Sequence, residues 1–274
     1  MIRPTLIPVP AEEVRREFVE TPFGQVHIRH SGTGSRSVVP LLLLHQSPAS
    51  SLTYQELLPI IGAHRQAIAI DTPGFGETFR PGAPPSITDY ARWIEAVPDA
   101  LGFDRFDVMG LFTGAAIAAE LAQLAPTRVR RLVLAGPPLF TPEQQAHFRQ
   151  DAWPARPRAD GTHLLQEWNR VMSRPMPGLA FERRCDAFNE FYRGGANAIW
   201  GEMAVSNYPL VETLPRLRQP TLILQPDGIT GDGARAAALM QDATLVRIPH
   251  LSYSMLQVVP GLVATAVEAF LEPD

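Results

Sequence analysis

The chain has 274 residues, 45% of them hydrophobic and 19% charged, with a formal net charge of −4. That is enough length and apolar content for one α/β domain with a full core, and too little charge for a disordered chain. All 24 basic residues in the Lys+Arg count are arginine; Schiff-base chemistry and a P-loop lysine are therefore excluded, and arginine cannot stand in because it does not deprotonate near neutral pH.

In chain order, Met1–Pro10 is broken by Pro4, Pro8 and Pro10 and followed by Glu12 and Glu13, which leaves no secretory apolar region. Phe18–Thr21 and Val26–His30 flank Thr21-Pro22-Phe23-Gly24 and read as an antiparallel hairpin at a sheet edge. His27 and His30 fall on opposite faces of the second strand. Val38–Leu44 lacks alternation, the mark of a strand buried on both faces. Thr53-Tyr54-Gln55-Glu56 has capping-box spacing for a helix that stops near Gly62. Ala67–Ile70 is a strand ending at Asp71. Ile87–Leu101 is a helix behind Ser86, Phe106–Met109 a strand, and Thr113–Leu124 an Ala- and Leu-rich helix ending before Pro126. Arg128-Val129-Arg130-Arg131 reads as a solvated lead-in to the strand Leu132–Ala135.

The alternation stops at Gly136-Pro137-Pro138. From Thr141, with Pro142 at the first helical position and Gln144 at capping spacing, the pattern is helical and irregular to about Leu210. This stretch concentrates the aromatics Trp153, Trp168, Phe181, Phe188, Phe191, Tyr192 and Trp200. Strands Thr221–Leu224 and Leu245–Ile248 then return, with helices Ala234–Met240 and Leu262–Leu271. Strand–helix alternation predicts an α/β fold with a mostly parallel sheet and helices on both faces. The expected division is a core over residues 1–140 and 211–274, with a helical lid over 141–210 inserted after the sixth strand.

Three loops follow strands at the edge where open α/β sheets place ligands. They are His45-Gln46-Ser47-Pro48, Asp71-Thr72-Pro73-Gly74-Phe75-Gly76 and Gly110-Leu111-Phe112-Thr113-Gly114. Together with the strand order they resemble the α/β-hydrolase superfamily, in the branch of proline iminopeptidases, haloalkane dehalogenases and epoxide hydrolases. The resemblance covers nearly the whole chain, and D-x-P-G-x-G, intact from Asp71 to Gly76, is its most specific motif. It implies a strand–turn–helix elbow of the form G-x-nucleophile-x-G, a histidine after the last strand, an acid after the seventh, and oxyanion donors in the H-G-x-P loop.

The chain departs from that pattern at the elbow. Gly110 and Gly114 are in place, with Ala115 beside them, but the nucleophile position holds Phe112, whose ring cannot attack a carbonyl or be acylated. In register with the histidine stands Tyr253, with His250 earlier in Ile248-Pro249-His250-Leu251-Ser252-Tyr253. Asp227 and Asp232 are both open for the acid. Gln46 replaces the glycine of H-G-x-P, leaving N–H groups near Gln46 or Ser47, with that of Thr113, as oxyanion donors.

His45, Tyr253 and Asp227 are thus the residues expected to handle protons, and Phe112, His163, Trp168 and His250 those expected against the ligand. Each also has a plainer reading. Phe112 is a plug for a lost nucleophile, Tyr253 a packing residue, His45 a structural hydrogen-bonding group, and His163 and Trp168 lid packing. Asp71 orders its own turn, and Cys185, the single cysteine, is inert. Ser47, Thr113, Ser252 and Ser254 lie in the right loops without the elbow spacing. A retained elbow places Phe112 at positive φ.

No metal-ligand cluster and no nucleotide-binding glycine loop stands out, so no metal or organic cofactor is expected. The charge balance gives no footprint for nucleic acid, and no apolar stretch reaches a membrane span; a soluble, cytoplasmic protein is expected, of open oligomeric state. The expected ligand is small and apolar or carbonyl-containing, in a pocket of about 300–1,000 Å³. Three functions stay open. One is a small-molecule enzyme using non-covalent acid/base chemistry, such as elimination, cyclisation, decarboxylation or proton transfer beside a carbonyl. The others are a non-catalytic binding protein or receptor, and a hydrolase with an atypical nucleophile or directly activated water.

Overall fold

A computed structural model describes residues 13–32, 38–150, 158–229 and 231–272; Met1–Pro10, Glu12 and Trp153 lie outside them. The expected edge hairpin is β1 (Arg15–Thr21) and β2 (Gly24–Ser31), antiparallel, with Phe18 opposite His27. The apolar runs β3 (Leu41–Leu44) and β4 (Ala67–Ile70) are buried along their whole length. β3 begins at Leu41 rather than Val38, because Pro40 has no N–H to offer a ladder. β5 (Phe106–Leu111), β6 (Val129–Ala135), β7 (Thr221–Pro226) and β8 (Ala243–Ile248) complete an eight-stranded sheet in the order β1-β2-β4-β3-β5-β6-β7-β8. Only the pairings of β2 with β1 and β4 are antiparallel.

That order positions the site. The chain leaves β3 toward β4 on one side and returns to β5 on the other. The crevice beyond the carboxyl ends of β3 and β5 is therefore the topological switch point, where open α/β sheets bind ligands.

The first helical stretch differs from expectation. Ser50 caps a 3₁₀ turn over Ser51–Tyr54 by accepting from the Leu52 N–H at 3.2 Å, and α1 (Leu58–Gly62) follows. Thr53 is no cap, because it is buried inside that turn with its own N–H bonded to the Ser50 carbonyl at 3.0 Å. α2 (Ile87–Leu101) has the expected Ser86 cap, reciprocated by Asp89 in a capping box, and stops at Gly102 with φ 78°. α3 (Thr113–Leu124) follows β5 directly.

Between β6 and β7 run α4 (Pro142–Gln150), α5 (Thr162–Ser173), α6 (Phe181–Arg193), α7 (Trp200–Ser206) and α8 (Leu210–Thr213). α9 (Gly233–Leu239), α10 (Met255–Val258) and α11 (Pro260–Leu271) close the chain. No helix among the described residues is long and apolar enough to cross a membrane.

The arginines before β6 are not a solvated lead-in. Arg128 pairs with Glu95 at 3.2 Å and Asp99 at 2.7 Å. Arg130 pairs with the fully buried Asp107 of β5 at 2.7 Å, and Arg131 donates to the Phe270 carbonyl at 2.7 Å. Arg65, bonded to Glu268 at 2.9 Å, also reaches Asp107 at 3.5 Å. A buried carboxylate is stable only when paired; Arg65, Arg130 and Arg131 thus join the sheet to α11, while Arg128 ties it to α2.

Candidate active site

The turn from β5 to α3 is made by its glycines. A Cβ on Gly114 would overlap the Leu44 carbonyl, and one on Gly110 would overlap the Gly114 carbonyl. Without side chains there, α3 packs directly on β3 and β5. Between them Phe112 takes φ 48°, ψ −104°, as a retained elbow requires, at a cost of about 1–3 kcal/mol for a side-chain-bearing residue. Its N–H donates to the Ala135 carbonyl at 2.9 Å, and its carbonyl accepts from Ala115 at 2.9 Å. The ring is buried, edge to face with Phe140 at 5.9 Å and Tyr253 at 5.7 Å.

Asp71 ties the neighbouring loops together. Its carboxylate accepts from the Ser51 N–H at 2.7 Å and the Glu77 N–H at 3.0 Å, and pairs with His27 Nδ1 at 2.8 Å. Burial alone would raise its pKa; the bond from His27, the nearby His45 and the bond from Ser51 outweigh that and bring it down to about 2.

His45 is fully buried. Its Nε2 accepts from the Thr72 N–H at 3.0 Å, so Nδ1 carries the proton and donates to the Gln46 carbonyl at 2.9 Å. Burial also holds its pKa below the usual imidazole range. Both ring nitrogens are committed to backbone, and the ring does not line the cavity below. The expected proton-handling role of His45 is therefore corrected to one of locking the β3 loop onto the β4 loop.

Over the switch point lies a cavity of about 320 Å³. Gln46, Ser47, Phe112, Tyr253 and Ser254 form its wall on the sheet side. Arg170, Arg174, Arg183, Glu190 and Glu202 face them from the helices between β6 and β7. Burial pushes the Tyr253 pKa up to about 12, so the phenol stays neutral. Thr113 is buried beneath this wall as the first residue of α3, and its N–H has no protein partner among the described residues.

Five expected site residues stand elsewhere. Asp227 is exposed and accepts from the His250 N–H at 3.0 Å, while His250 itself is exposed at φ 61°; the pair shapes the loop after β8 outside the cavity. Asp232 caps α9 by accepting from Arg235 at 2.9 Å. His163 is buried between the Arg158 N–H at 3.1 Å and the Tyr192 hydroxyl at 2.6 Å. Trp168 packs edge to face on Phe181 and Phe188 at 6.0 and 5.3 Å. His163 and Trp168 thus hold α5 to α6. Arg174 and Glu202 were missed by the sequence reading, because no local motif marks a charged residue whose helix is later folded over the sheet edge. Among the described residues no group of three His, Cys, Asp or Glu side chains is placed to hold a metal ion.

Residues 39–175, half of the chain, match the family model described as "alpha/beta hydrolase fold". The chain belongs to the α/β-hydrolase fold family. Among its α/β-hydrolase relatives, haloalkane dehalogenase 2 of Mycobacterium bovis is 33% identical over 59% of this chain and 49% of its own length. The 2-hydroxy-6-oxo-2,4-heptadienoate hydrolase of Pseudomonas putida is 36% identical over 35% of this chain and 37% of its own. The chain thus spans about half or less of the length of these curated relatives. Among solved structures, an enol-lactonase from Burkholderia xenovorans aligns with TM-score 0.78 at 18% identity, over 93% of this chain and 99% of its own. A hydrolase from Pseudomonas aeruginosa aligns with TM-score 0.73 at 23% identity, over 94% and 99%. At these identities the structural likeness concerns the fold.

Proposed function

We propose that this protein is a small-molecule enzyme that works by non-covalent acid/base chemistry on a carbonyl compound, bound under α4–α7 acting as a lid. The observation that carries this reading is Phe112. The elbow geometry is kept, φ 48° included, while the residue on it has no nucleophilic atom. With Tyr253 rather than a histidine against it and Asp227 turned to the surface, no Ser-His-Asp relay can form. The Thr113 N–H at the start of α3, together with the loop of Gln46 and Ser47, supplies the oxyanion cradle for a carbonyl oxygen as it gains charge. The neutral Tyr253 hydroxyl adds a donor on the same wall.

The substrate carries an acidic group. Arg170 pairs with Glu167 at 2.8 Å, and Arg183 pairs with Glu56 and Asp186. Arg174 forms no ion pair among the described residues and lines the same cavity. It is the cation left for a carboxylate of the ligand, and the dienoate hydrolase among the relatives supports an oxo acid.

A second reading is favoured by Ser254, whose buried Oγ has no hydrogen-bond partner among the described residues and belongs to a residue lining the cavity, and by relatives named as hydrolases. In it, Ser254 or an activated water attacks an ester or ketone. A serine-directed fluorophosphonate followed by intact-protein mass measurement separates the two. The expected result is no adduct and no burst with p-nitrophenyl esters. Stoichiometric labelling at Ser47, Thr113 or Ser254 overturns the non-covalent reading.

A further inference from the structure

Four carboxylates line the cavity: Glu56, Asp186, Glu190 and Glu202. Glu56 and Asp186 are paired with Arg183, and Glu190 with Arg193 at 3.2 Å. Glu202 alone makes no hydrogen bond or ion pair among the described residues. Its neighbour Gly201 packs on Ser47. A Cβ on Gly201 would overlap the Ser47 side chain, so the first turn of α7 rests directly on the oxyanion loop. Glu202, the next residue, lines the same cavity as Gln46, Ser47 and Tyr253 and is within electrostatic reach of Tyr253.

We propose that Glu202 is the catalytic base and acid of the cavity, acting on the carbon next to the carbonyl of a bound oxo acid or ketone. Its carboxylate takes the proton from that carbon. The C–H electron pair becomes the new C=C bond, and the carbonyl π pair moves onto oxygen, which the Thr113 N–H and the Gln46–Ser47 loop stabilise. The carboxylic acid so formed gives a proton back to carbon, and the C=O is restored. No co-reactant is needed.

The surroundings suit the task. Burial raises the Glu202 pKa, opposed by Arg174 and Arg170 and reinforced by Glu167; Tyr253 faces it as a neutral phenol. A carboxyl moved toward neutrality is a better proton carrier at working pH than an ordinary glutamate. The inference rests on the non-covalent reading above.

The test is exchange of the carbon-bound protons of 2-oxo-4-phenylbutanoate and of 4-phenyl-2-butanone in D₂O, followed by proton NMR. Wild-type protein is expected to accelerate exchange in at least one probe. Glu202→Gln is expected to lose about 100-fold or more of that rate while its Kd for the probe moves by less than about threefold, and Glu202→Asp to recover part of it. Exchange in Glu202→Gln close to the wild-type rate overturns the role of Glu202 and leaves the non-covalent reading standing. No exchange by wild type at saturating probe overturns both. If Glu202→Gln does not fold, the wild type labelled with ¹³C-glutamate decides. A Glu202 carboxyl that titrates above the ordinary glutamate range and shifts on probe binding supports the proposal. A carboxyl with ordinary titration and no response to either probe overturns it.

Discussion

The rings of Phe112 and Tyr253 meet edge to face, with centroids 5.7 Å apart and planes at 77°. The two residues that the proposed reading puts at the nucleophile and base positions are thus in contact as an aromatic pair. Phe112→Ser alone is expected to give no fluorophosphonate adduct, since Tyr253, with its pKa near 12, cannot take the serine proton at neutral pH. The double variant Phe112→Ser/Tyr253→His is expected to be labelled on the new serine. Equal labelling of the single and double variants, read by intact mass, would show that contact between the two positions is not what limits nucleophilic chemistry.

Arg174 is expected to discriminate by charge. Arg174→Ala should weaken binding of 2-oxo-4-phenylbutanoate about tenfold or more, the scale of one charge-assisted bond, and leave the neutral 4-phenyl-2-butanone nearly unaffected. Titration calorimetry of both probes checks this. Equal weakening of both would mean that the arginine shapes the cavity rather than reading an anion.

Acid is expected to destabilise the fold in two stages. His45 is held neutral by burial, so its pKa in the folded state lies below the unfolded value of 6.5. As pH falls below that value the unfolded chain binds the proton first, and stability drops. Asp71 has a folded pKa of about 2 against 3.8. Its contribution, about 2 kcal/mol, is complete above the unfolded pKa and is lost as pH falls toward the folded one. Urea midpoints measured from pH 7 to pH 2 should show both limbs, and Asp71→Asn should flatten the lower one.

Asp107 is expected to matter for stability and not for the cavity. It is fully buried and holds Arg130 at 2.7 Å. Asp107→Ala leaves Arg130 and Arg65 without that carboxylate, a loss of about 3–5 kcal/mol for a buried pair broken on one side. Denaturant unfolding should show the loss, while any variant that still folds should bind the probes with unchanged Kd.

Much of the scaffold was legible along the chain because local rules agree with the tertiary fold. Ile87–Leu101 begins at a serine whose side chain bonds Asp89 and ends at a left-handed glycine, so neighbours in sequence set both limits. Ala67–Ile70 is uniformly apolar because the sheet covers it on both faces. The elbow was legible too, since Gly110 and Gly114 leave room for a strained residue between them. Less of the chemistry was visible. Histidine and aspartate in the expected loops drew the reading to His45, Asp227 and His250, yet hydrogen bonds to backbone occupy His45 and Asp227.

The order of residues alone therefore settles the α/β scaffold and the glycine-flanked elbow at Phe112, because glycine spacing, capping and apolar periodicity act over a few residues. The groups proposed to react are brought to the cavity by packing over long separations. Glu202 reaches the same cavity as Ser47 because Gly201 beside it allows α7 to rest on the loop of Gln46 and Ser47. Arg174 forms no ion pair among the described residues, whereas Arg170 and Arg183 on the same cavity wall are paired with carboxylates. Burial and pairing are properties of the surroundings a side chain meets after folding, and no local pattern carries them.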